Sequence, residues 1–212
     1  MRVVGGAAWN HNTHHHPTLL RLIPPRVARA LDVGCGDGSF AMKLAVRCDT
    51  VDALDRDAGQ VRVARERCGS LTNVNVIRGD FLTADTLPEG GYDLIASLAT
   101  FHHMPFDLAA DRASRLLRPG GRLLLLGVWT DSATAGDLLL NVMSTGFNVV
   151  LRALRGPDEM SAPQTMPTMP LLEVREAARR ALPRARLTRR RLWRYTLVWD
   201  KPHADLPSAP RC

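Results

Sequence analysis

The chain is poor in lysine and in aromatic residues. Only Lys43 and Lys201 are lysines, so arginine carries almost all of the formal net charge of +7. Such a bias reflects genome composition as readily as function, and it raises the expectation of nucleic-acid binding only modestly. Aromatic residues make up 5% of the chain, which leaves few side chains on which bases could stack.

Long apolar runs and targeting patterns are absent as well. The most apolar region, Leu138 to Leu154, is interrupted by two asparagines, a glycine and an arginine, which argues against a membrane span. The beginning, Met1 to Trp9, has neither a signal-peptide nor a transit-peptide pattern. These absences predict a cytoplasmic protein without a membrane partner.

Cysteine is also scarce. Cys35, Cys48, Cys68 and Cys212 have neither paired spacing nor the spacing of zinc ligands, so reduced thiols are expected. The N-terminal run that includes His14, His15 and His16 has no carboxylate partners nearby, and no metal site is predicted there.

From about Arg29, short apolar runs alternate with amphipathic segments of helical length. This alternation indicates an α/β fold with a mainly parallel sheet covered by helices on both faces. The predicted parallel strands are Ala30–Val33, Thr50–Leu54, Val74–Arg78, Tyr92–Leu98 and Arg122–Val128, the last entered through the turn Pro119-Gly120-Gly121. The predicted helices between them are Ser39–Arg47, Ala58–Cys68 and Leu108–Leu117, and an antiparallel pair, Ala185–Arg190 and Trp193–Trp199, closes the sheet.

Two segments fall outside this alternation and are candidates for a lid and a cap. They are Trp9 to Pro25 and Thr134 to Pro170. The second contains methionines whose flexible thioethers suit an acceptor pocket, although packing within the cap explains them equally well. These methionines are Met160, Met166 and Met169.

The most informative motif is the glycine loop Gly34-Cys35-Gly36-Asp37-Gly38, which follows the first strand and opens a helix. Glycine is needed where the chain reverses and its backbone approaches a ligand. The Gly-x-Gly-x-Gly spacing, with Asp32 two places before it, differs from the Gly-x-Gly-x-x-Gly fingerprint of dinucleotide enzymes. The spacing therefore disfavours a dehydrogenase.

From about Ala30 to Val128, this set of features resembles the class I S-adenosylmethionine-dependent methyltransferases, particularly the group that includes ubiquinone-biosynthesis and small natural-product enzymes. The resemblance implies a Rossmann-like, doubly wound, mainly parallel seven-stranded sheet with an antiparallel closing strand and a small helical cap. It implies one domain over residues 1–212, with S-adenosylmethionine as cofactor and S-adenosylhomocysteine as product. Within it we expect an N-terminal flap (1–25), a cofactor-binding core (26–133), a helical cap with a Met/Pro loop (134–172), a closing helix and hairpin (173–201) and a flexible tail (202–212).

The resemblance also implies roles for single residues. Asp55, at the end of the second strand, would accept from both ribose hydroxyls, and Asp80 would accept from the adenine amino group. Asp32 would help to hold the methionine ammonium, and the helix N-terminus beyond Gly38 would favour the carboxylate. The predicted cofactor-binding residues are Asp32, Gly34, Cys35, Gly36, Gly38, Asp55, Arg56, Asp80, Phe81 and Leu98. Cys35 is expected to be a small packed loop residue and not a nucleophile.

Paired histidines follow the fourth strand, and this position faces the methyl group in the implied topology. His102 and His103 are therefore candidate catalytic bases, or residues that pack beneath the cofactor. The N-terminal histidines would lie on a flap that donates to the methionine carboxylate or supplies another base, or on a plain surface arm.

A small-molecule acceptor is the favoured interpretation, with the protein a monomer or a homodimer. An RNA acceptor is the second hypothesis, since the closing hairpin is rich in arginine, but a charged sheet edge accounts for that pattern. Nucleic acid is disfavoured because no Asn/Asp-Pro-Pro-aromatic motif follows the fourth strand. The third hypothesis is a cofactor-bound accessory or cyclisation protein that transfers no methyl group, because binding residues do not report turnover.

Overall fold

A computed structural model of the chain describes residues 11–129 and 169–203. Its seven strands form one sheet in the order β3-β2-β1-β4-β5-β7-β6, in which β7 runs antiparallel to both of its neighbours and the other pairings are parallel. The strands are β1 (Arg29–Val33), β2 (Thr50–Asp55), β3 (Val74–Arg78), β4 (Tyr92–Leu98), β5 (Leu117–Val128), β6 (Arg186–Arg190) and β7 (Arg194–Asp200). The predicted doubly wound sheet with its antiparallel closing strand is confirmed.

Helices cover both faces of the sheet. The described helices are α1 (His11–Leu20), α2 (Ser39–Leu44), α3 (Ala58–Cys68), α4 (Phe106–Leu116) and α5 (Leu171–Ala181), with a short 3₁₀ turn over Phe101–His103. Apolar residues of α1, α2 and α3 form one core cluster with the sheet, and those of α4 and α5 form the other. Strands buried on both faces are rich in consecutive apolar residues, as in residues 94–96 of β4 and the four leucines 123–126 of β5. Because β2, β1 and β4 are neighbouring parallel strands, the loops that follow them meet at the same carboxyl edge of the sheet.

The element boundaries differ from the sequence prediction at several points. Helix α2 ends at Leu44 and not at Arg47, and α4 begins at Phe106, because the buried Phe106 ring joins the apolar face of that helix. Strand β5 begins at Leu117 and includes the predicted turn, where Gly120 has a φ of 76° and the pairing with β4 shifts register. The helix α1 was not predicted, because Pro17 lies inside it and its apolar periodicity is weak.

Parts of the predicted layout lie outside the described residues. These are the start of the flap (residues 1–10), most of the cap with Met160 and Met166 (residues 130–168), and most of the tail (residues 204–212). Within the described part, no helix has both the length and the apolarity needed to span a bilayer.

Candidate functional site

The glycine loop joins β1 to α2 at the carboxyl edge of the sheet. All three glycines, Gly34, Gly36 and Gly38, have left-handed φ values of 70°, 54° and 78°. A Cβ at Gly34 would overlap the side chain of Thr100, which follows β4. The backbone N–H groups of Gly34 and Cys35 donate to the carbonyl of Leu54 at 2.8 and 3.0 Å. The loop is therefore held tightly between the ends of β2 and β4.

Asp55 connects this loop to the loop that follows β2. Its Oδ2 accepts from the N–H of Gly36 at 2.8 Å, and its Oδ1 accepts from the N–H of Asp57 at 2.9 Å. Asp57 in turn caps α3, where it accepts from the N–H of Gln60 at 2.8 Å. Since each carboxylate oxygen has two lone pairs, both oxygens of the half-buried Asp55 can accept one further hydrogen bond.

Asp32 lies on β1, directly beneath the glycine loop, and is only 1% exposed. Burial, followed by the nearby charge of Asp55, raises the pKa of Asp32 to about 7. Among the described residues, none donates a hydrogen bond to its Oδ2. A buried carboxylate oxygen without a donor is costly in an apolar interior, so this atom is suited to a cationic or hydrogen-bonding ligand.

The start of α2 differs from the expectation. The helix has six residues, and the N–H of its first residue, Ser39, donates to Asp37 Oδ1 at 3.0 Å. Asp37 also forms an ion pair with Arg67 on α3. The predicted attraction of this helix terminus for a carboxylate is therefore offset by an acidic side chain that already occupies it.

The remaining predicted cofactor residues lie around the same edge. Asp80 is exposed after β3 and accepts from the N–H of Leu82 at 2.8 Å, while the Phe81 ring is buried in the core and leaves only its backbone for a ligand. Arg56 is exposed beyond β2, and Leu98 ends β4 half-buried. Cys35 is buried, and burial raises the pKa of its thiol, which agrees with a packed loop residue.

The paired histidines lie in the 3₁₀ turn after β4, and their ring centroids are 4.0 Å apart. The two histidine side chains have different surroundings. His103 is exposed, and partial desolvation together with the charge of Arg56 lowers its pKa. His102 lines an apolar recess instead. Of the two candidate bases, His102 has the surroundings expected for contact with an acceptor.

The recess containing His102 lies at the carboxyl edge, between the ends of β4 and β5, the start of β7, and the helices α4 and α5. Carbon atoms dominate its walls, since aromatic, methionine and valine side chains supply most of them. Its lining residues are Phe101, His102, Met104, Phe106, Val128, Met169, Val174 and Tyr195. Met169 is the one predicted pocket methionine within the described residues, and it does line this recess.

Helix α1 packs against α2 and β5. Asn12 Oδ1 accepts from Arg194 at 3.1 Å, and His15 Nε2 lies 3.1 Å from the carbonyl of Arg191. His16 Nδ1 lies 2.8 Å from Lys43 Nζ on α2. His15 and His16 are both buried, so two of the N-terminal histidines are packed residues and not part of a plain surface arm.

Four residues of the site had no prediction from sequence. They are Asp37, Lys43, Thr100 and Tyr195. Gly127 was the available signal for Tyr195, because it follows four leucines inside the strand, where a glycine indicates that another group approaches the backbone closely. Contacts between residues far apart in sequence, such as Lys43 with His16, carry no comparable pattern.

Comparison with known proteins finds similar chains along nearly the whole length. The model of the methyltransferase domain family matches residues 30–121. An uncharacterized methyltransferase of Mycobacterium tuberculosis is 34% identical over 196 residues, which cover 92% of this chain and 98% of that protein.

More distant relatives act on different classes of acceptor. The 27-O-demethylrifamycin SV methyltransferase of Amycolatopsis mediterranei is 34% identical over 142 residues, covering 65% of this chain and 48% of that enzyme. The ribosomal RNA small subunit methyltransferase C of Chromohalobacter salexigens is 35% identical over 121 residues, covering 51% of this chain and 35% of that enzyme. Among solved structures, N-methyltransferase NodS of Bradyrhizobium japonicum in complex with S-adenosylhomocysteine has a TM-score of 0.61 at 18% identity, covering 92% of this chain and 89% of that one.

Proposed function

Because the chain belongs to the class I S-adenosylmethionine-dependent methyltransferases, we propose that it methylates a small molecule bound at the carboxyl edge of its sheet. S-adenosylmethionine is the cofactor and S-adenosylhomocysteine the product. One observation carries the choice of acceptor: Thr100 packs against Gly34 of the glycine loop, and the next two residues, Phe101 and His102, line an apolar recess. A cofactor loop that adjoins a partly enclosed apolar recess suits a small acceptor better than an extended polyanion.

The residues present fit the cofactor. The positive φ of the three loop glycines and the absence of side chains there allow close approach of a ligand to the backbone. Asp32 Oδ2, which accepts no hydrogen bond from the described residues, suits the methionine ammonium. The remaining lone pairs of the Asp55 carboxylate suit the ribose hydroxyls. Asp80 and the Phe81 backbone would hold adenine beside Arg56, with Cys35 and Leu98 packing along the site.

When bound, S-adenosylmethionine supplies a methyl group that its positive sulfur has already activated. The protein's main task is then to orient the acceptor and exclude water, and orientation alone can lower a barrier by roughly 7 to 11 kcal/mol. The recess is lined mainly by apolar side chains, and the 2.8 Å contact of His16 Nδ1 with Lys43 Nζ holds α1 against α2, the helix that follows the glycine loop. If the acceptor is a hydroxyl, His102 would accept its proton, a contribution of about 100-fold to 10,000-fold in rate.

The test of the cofactor site is calorimetric titration of the purified protein with S-adenosylhomocysteine. Asp55→Asn is expected to weaken binding at least 10-fold, or about 1.4 kcal/mol. Because Asp55 also positions Gly36, the same titration is repeated with the 2′-deoxy analogue of the ligand. Loss of the hydroxyl should weaken binding to the wild-type protein but add little to the effect of Asp55→Asn, and equal losses in both proteins would contradict the ribose role.

The test of the acceptor class uses cofactor labelled with tritium in the methyl group. A cell extract is divided by dialysis into small molecules and macromolecules, and each fraction is incubated with enzyme. Label is expected in the small-molecule fraction, and His102→Gln should reduce it without weakening S-adenosylhomocysteine binding. Label in RNA would overturn the proposed acceptor, and intact cofactor binding without label in either fraction would support an accessory protein.

A further inference from the structure

Helix α3 lies along the glycine loop through one stripe of its surface. A Cβ added at Gly38 would lie 2.9 Å from the Sγ of Cys68 and 3.3 Å from the Cβ of Ala64. Nearer the start of the helix, Gln60 Oε1 lies 3.8 Å from a Cβ added at Gly36. Positions 60, 64, 67 and 68 share one face of α3, because residues three and four apart are neighbours on a helix. The α3 stripe, defined by these four positions, therefore follows the loop.

Arg67 is the charged member of the α3 stripe, and it contacts the residue between the two glycines. Its Nη1 forms an ion pair with Oδ2 of Asp37, whose Oδ1 accepts from the N–H of Ser39 at 3.0 Å. Both charged side chains are 26% exposed, so most of the solvent is kept away from the pair. Such a pair interacts more strongly than one on an open surface, since less water screens it.

The glycine loop lies among three carboxylates. Besides Asp37, these are Asp32 beneath the loop and Asp55, which accepts from the N–H of Gly36. Burial raises the pKa of Asp32, and the charges of Asp55 and Asp37 raise it further, so the three groups act on one another. Among the described residues, neither Asp32 nor Asp55 forms an ion pair. An anion that approaches the loop therefore meets an excess of negative charge, which Arg67 reduces.

We propose that Arg67 is a positioning residue for the cofactor, which neutralises Asp37 so that the loop tolerates the carboxylate of the methionine moiety. The inference rests on the proposed function, because that function places the methionine moiety at this loop. S-adenosylmethionine carries an ammonium and a carboxylate on the same carbon, and acidic side chains alone would attract the first and repel the second. Arg67 acts through Asp37, and its role requires no contact with the ligand.

Two ligands that differ in a single group test this role. S-adenosylhomocysteine has both the ammonium and the carboxylate, and S-adenosyl-3-thiopropylamine lacks only the carboxylate. Calorimetry on full-length Arg67→Met is expected to show about tenfold weaker binding of S-adenosylhomocysteine, because the unpaired Asp37 repels its carboxylate. Binding of the amine should be unchanged or slightly tighter, since the same charge attracts its ammonium. A loop that had only lost its shape would bind both ligands more weakly.

Three further variants separate charge from shape. Arg67→Lys keeps the cation, and its affinity for both ligands should stay within about twofold of wild type. Asp37→Asn/Arg67→Met removes both charges but keeps a side-chain oxygen for the Ser39 N–H, and it should recover the wild-type preference between the ligands. Arg62→Met is the matched control on the same helix, because it removes an exposed ion pair with Glu66 and should change neither affinity.

Salt gives an independent measurement, because the proposed effect is electrostatic. Raising the ionic strength from about 0.1 to 1 M shortens the screening length from about 10 to 3 Å, and it should restore most of the affinity of Arg67→Met for S-adenosylhomocysteine. Unchanged binding in Arg67→Met, equal losses for both ligands, or a double variant as weak as the single one would overturn the inference alone. Wild-type protein that binds neither ligand would contradict the proposed cofactor site as well.

Discussion

The backbone N–H of Gly36 donates to the carboxylate of Asp55 at 2.8 Å, and this bond joins the glycine loop after β1 to the acidic end of β2. Two sequence features separated by 19 positions therefore act as one structural unit. A substitution in either one changes the geometry of the other, so variants of this site need controls that separate loop shape from ligand contact.

Cofactor affinity should depend on pH through Asp32. Its pKa of about 7 means that the carboxyl is largely protonated at pH 6, whereas a bound ammonium favours the ionised form. We expect S-adenosylhomocysteine to bind about tenfold more weakly for each pH unit below 7, with release of a proton on binding near that pH. Calorimetry in two buffers of different ionisation enthalpy measures both effects.

Asp32→Asn is the matched control, and it should bind S-adenosylhomocysteine without releasing that proton.

Asp32 also makes the free energy of unfolding depend on pH. A raised carboxyl pKa means that the folded state holds its proton more tightly, so stability falls as pH rises from about 4 to about 7. Denaturant unfolding of Asp32→Asn should therefore show a gain over wild type at pH 8, at most about 4 kcal/mol, and little gain at pH 4.

Helix α1 should loosen in mild acid. Burial lowers the pKa of His15 to about 4 and that of His16 to about 3. As pH falls, the two imidazoles therefore take up protons at a higher pH in the unfolded chain than in the folded protein. Stability contributed by α1 is then complete above about pH 6.5 and declines as pH falls toward 4. Amide hydrogen exchange, corrected for its intrinsic pH dependence, should show lower protection over residues 11–20 at pH 5 than at pH 7.

The variant His15→Gln/His16→Gln should keep the same protection at both pH values, and a pH-independent wild type would contradict the assignment. Neighbouring charges also lower the pKa values of the two imidazoles, since most of the charged groups that face them are cationic. The charged and titratable groups that act on the pair are His14, Asp37, Lys43, Arg190 and Arg194.

Gly34→Ala should abolish cofactor binding for a steric reason. The added Cβ would overlap Thr100, and the left-handed φ of 70° strains any residue other than glycine. Gly90→Ala is the matched control, since Gly90 has a φ of 61° but a Cβ there meets no atom within 4 Å. Calorimetry should find wild-type affinity in Gly90→Ala, with a stability loss of about 1 kcal/mol. Similar loss of binding in both variants would indicate a general effect of strain.

Asp52 is expected to contribute to the free energy of unfolding and not to cofactor binding. This buried carboxylate accepts from Arg29 at 2.8 and 2.9 Å, from the Tyr92 hydroxyl at 2.9 Å and from Asn75 at 3.0 Å. Asp52→Ala leaves the buried Tyr92 hydroxyl unpaired, whereas the more exposed Arg29 and Asn75 can turn to water, so it should cost about 2 kcal/mol in the free energy of unfolding. Asp111→Ala, which removes an exposed ion pair, should cost less than about 0.5 kcal/mol.

Cofactor titration separates this effect from a role in the site, because Asp52→Ala is expected to keep its affinity for S-adenosylhomocysteine at temperatures where it is folded. A 10-fold loss of affinity would show that the network reaches the opposite edge of the sheet.

Sequence patterns predicted the parallel core well because burial on both faces produces continuous apolar runs, and the Gly34 to Gly38 loop lies where its spacing indicated. They did not predict α1, whose helix depends on packing of His15 and His16 and not on its own periodicity. Proximity of Tyr195 to His102 also escaped prediction, because it arises from strand pairing across 68 residues of separation between Gly127 and Tyr195. Helix boundaries near Leu44 were set by tertiary contacts that no local pattern records.

The bonds from α1 to Arg191 and Arg194 span more than 170 positions of the chain. The ribosome therefore makes this helix long before the β6–β7 hairpin, and the contacts of the helix are complete only when that hairpin has emerged. Until then, α1 lacks its contacts with Arg191 and Arg194, and the face that carries His15 stays open to chaperones and to other nascent chains. Slow translation of the segment between α1 and that hairpin would lengthen this interval, so codon usage there bears on the yield of folded enzyme.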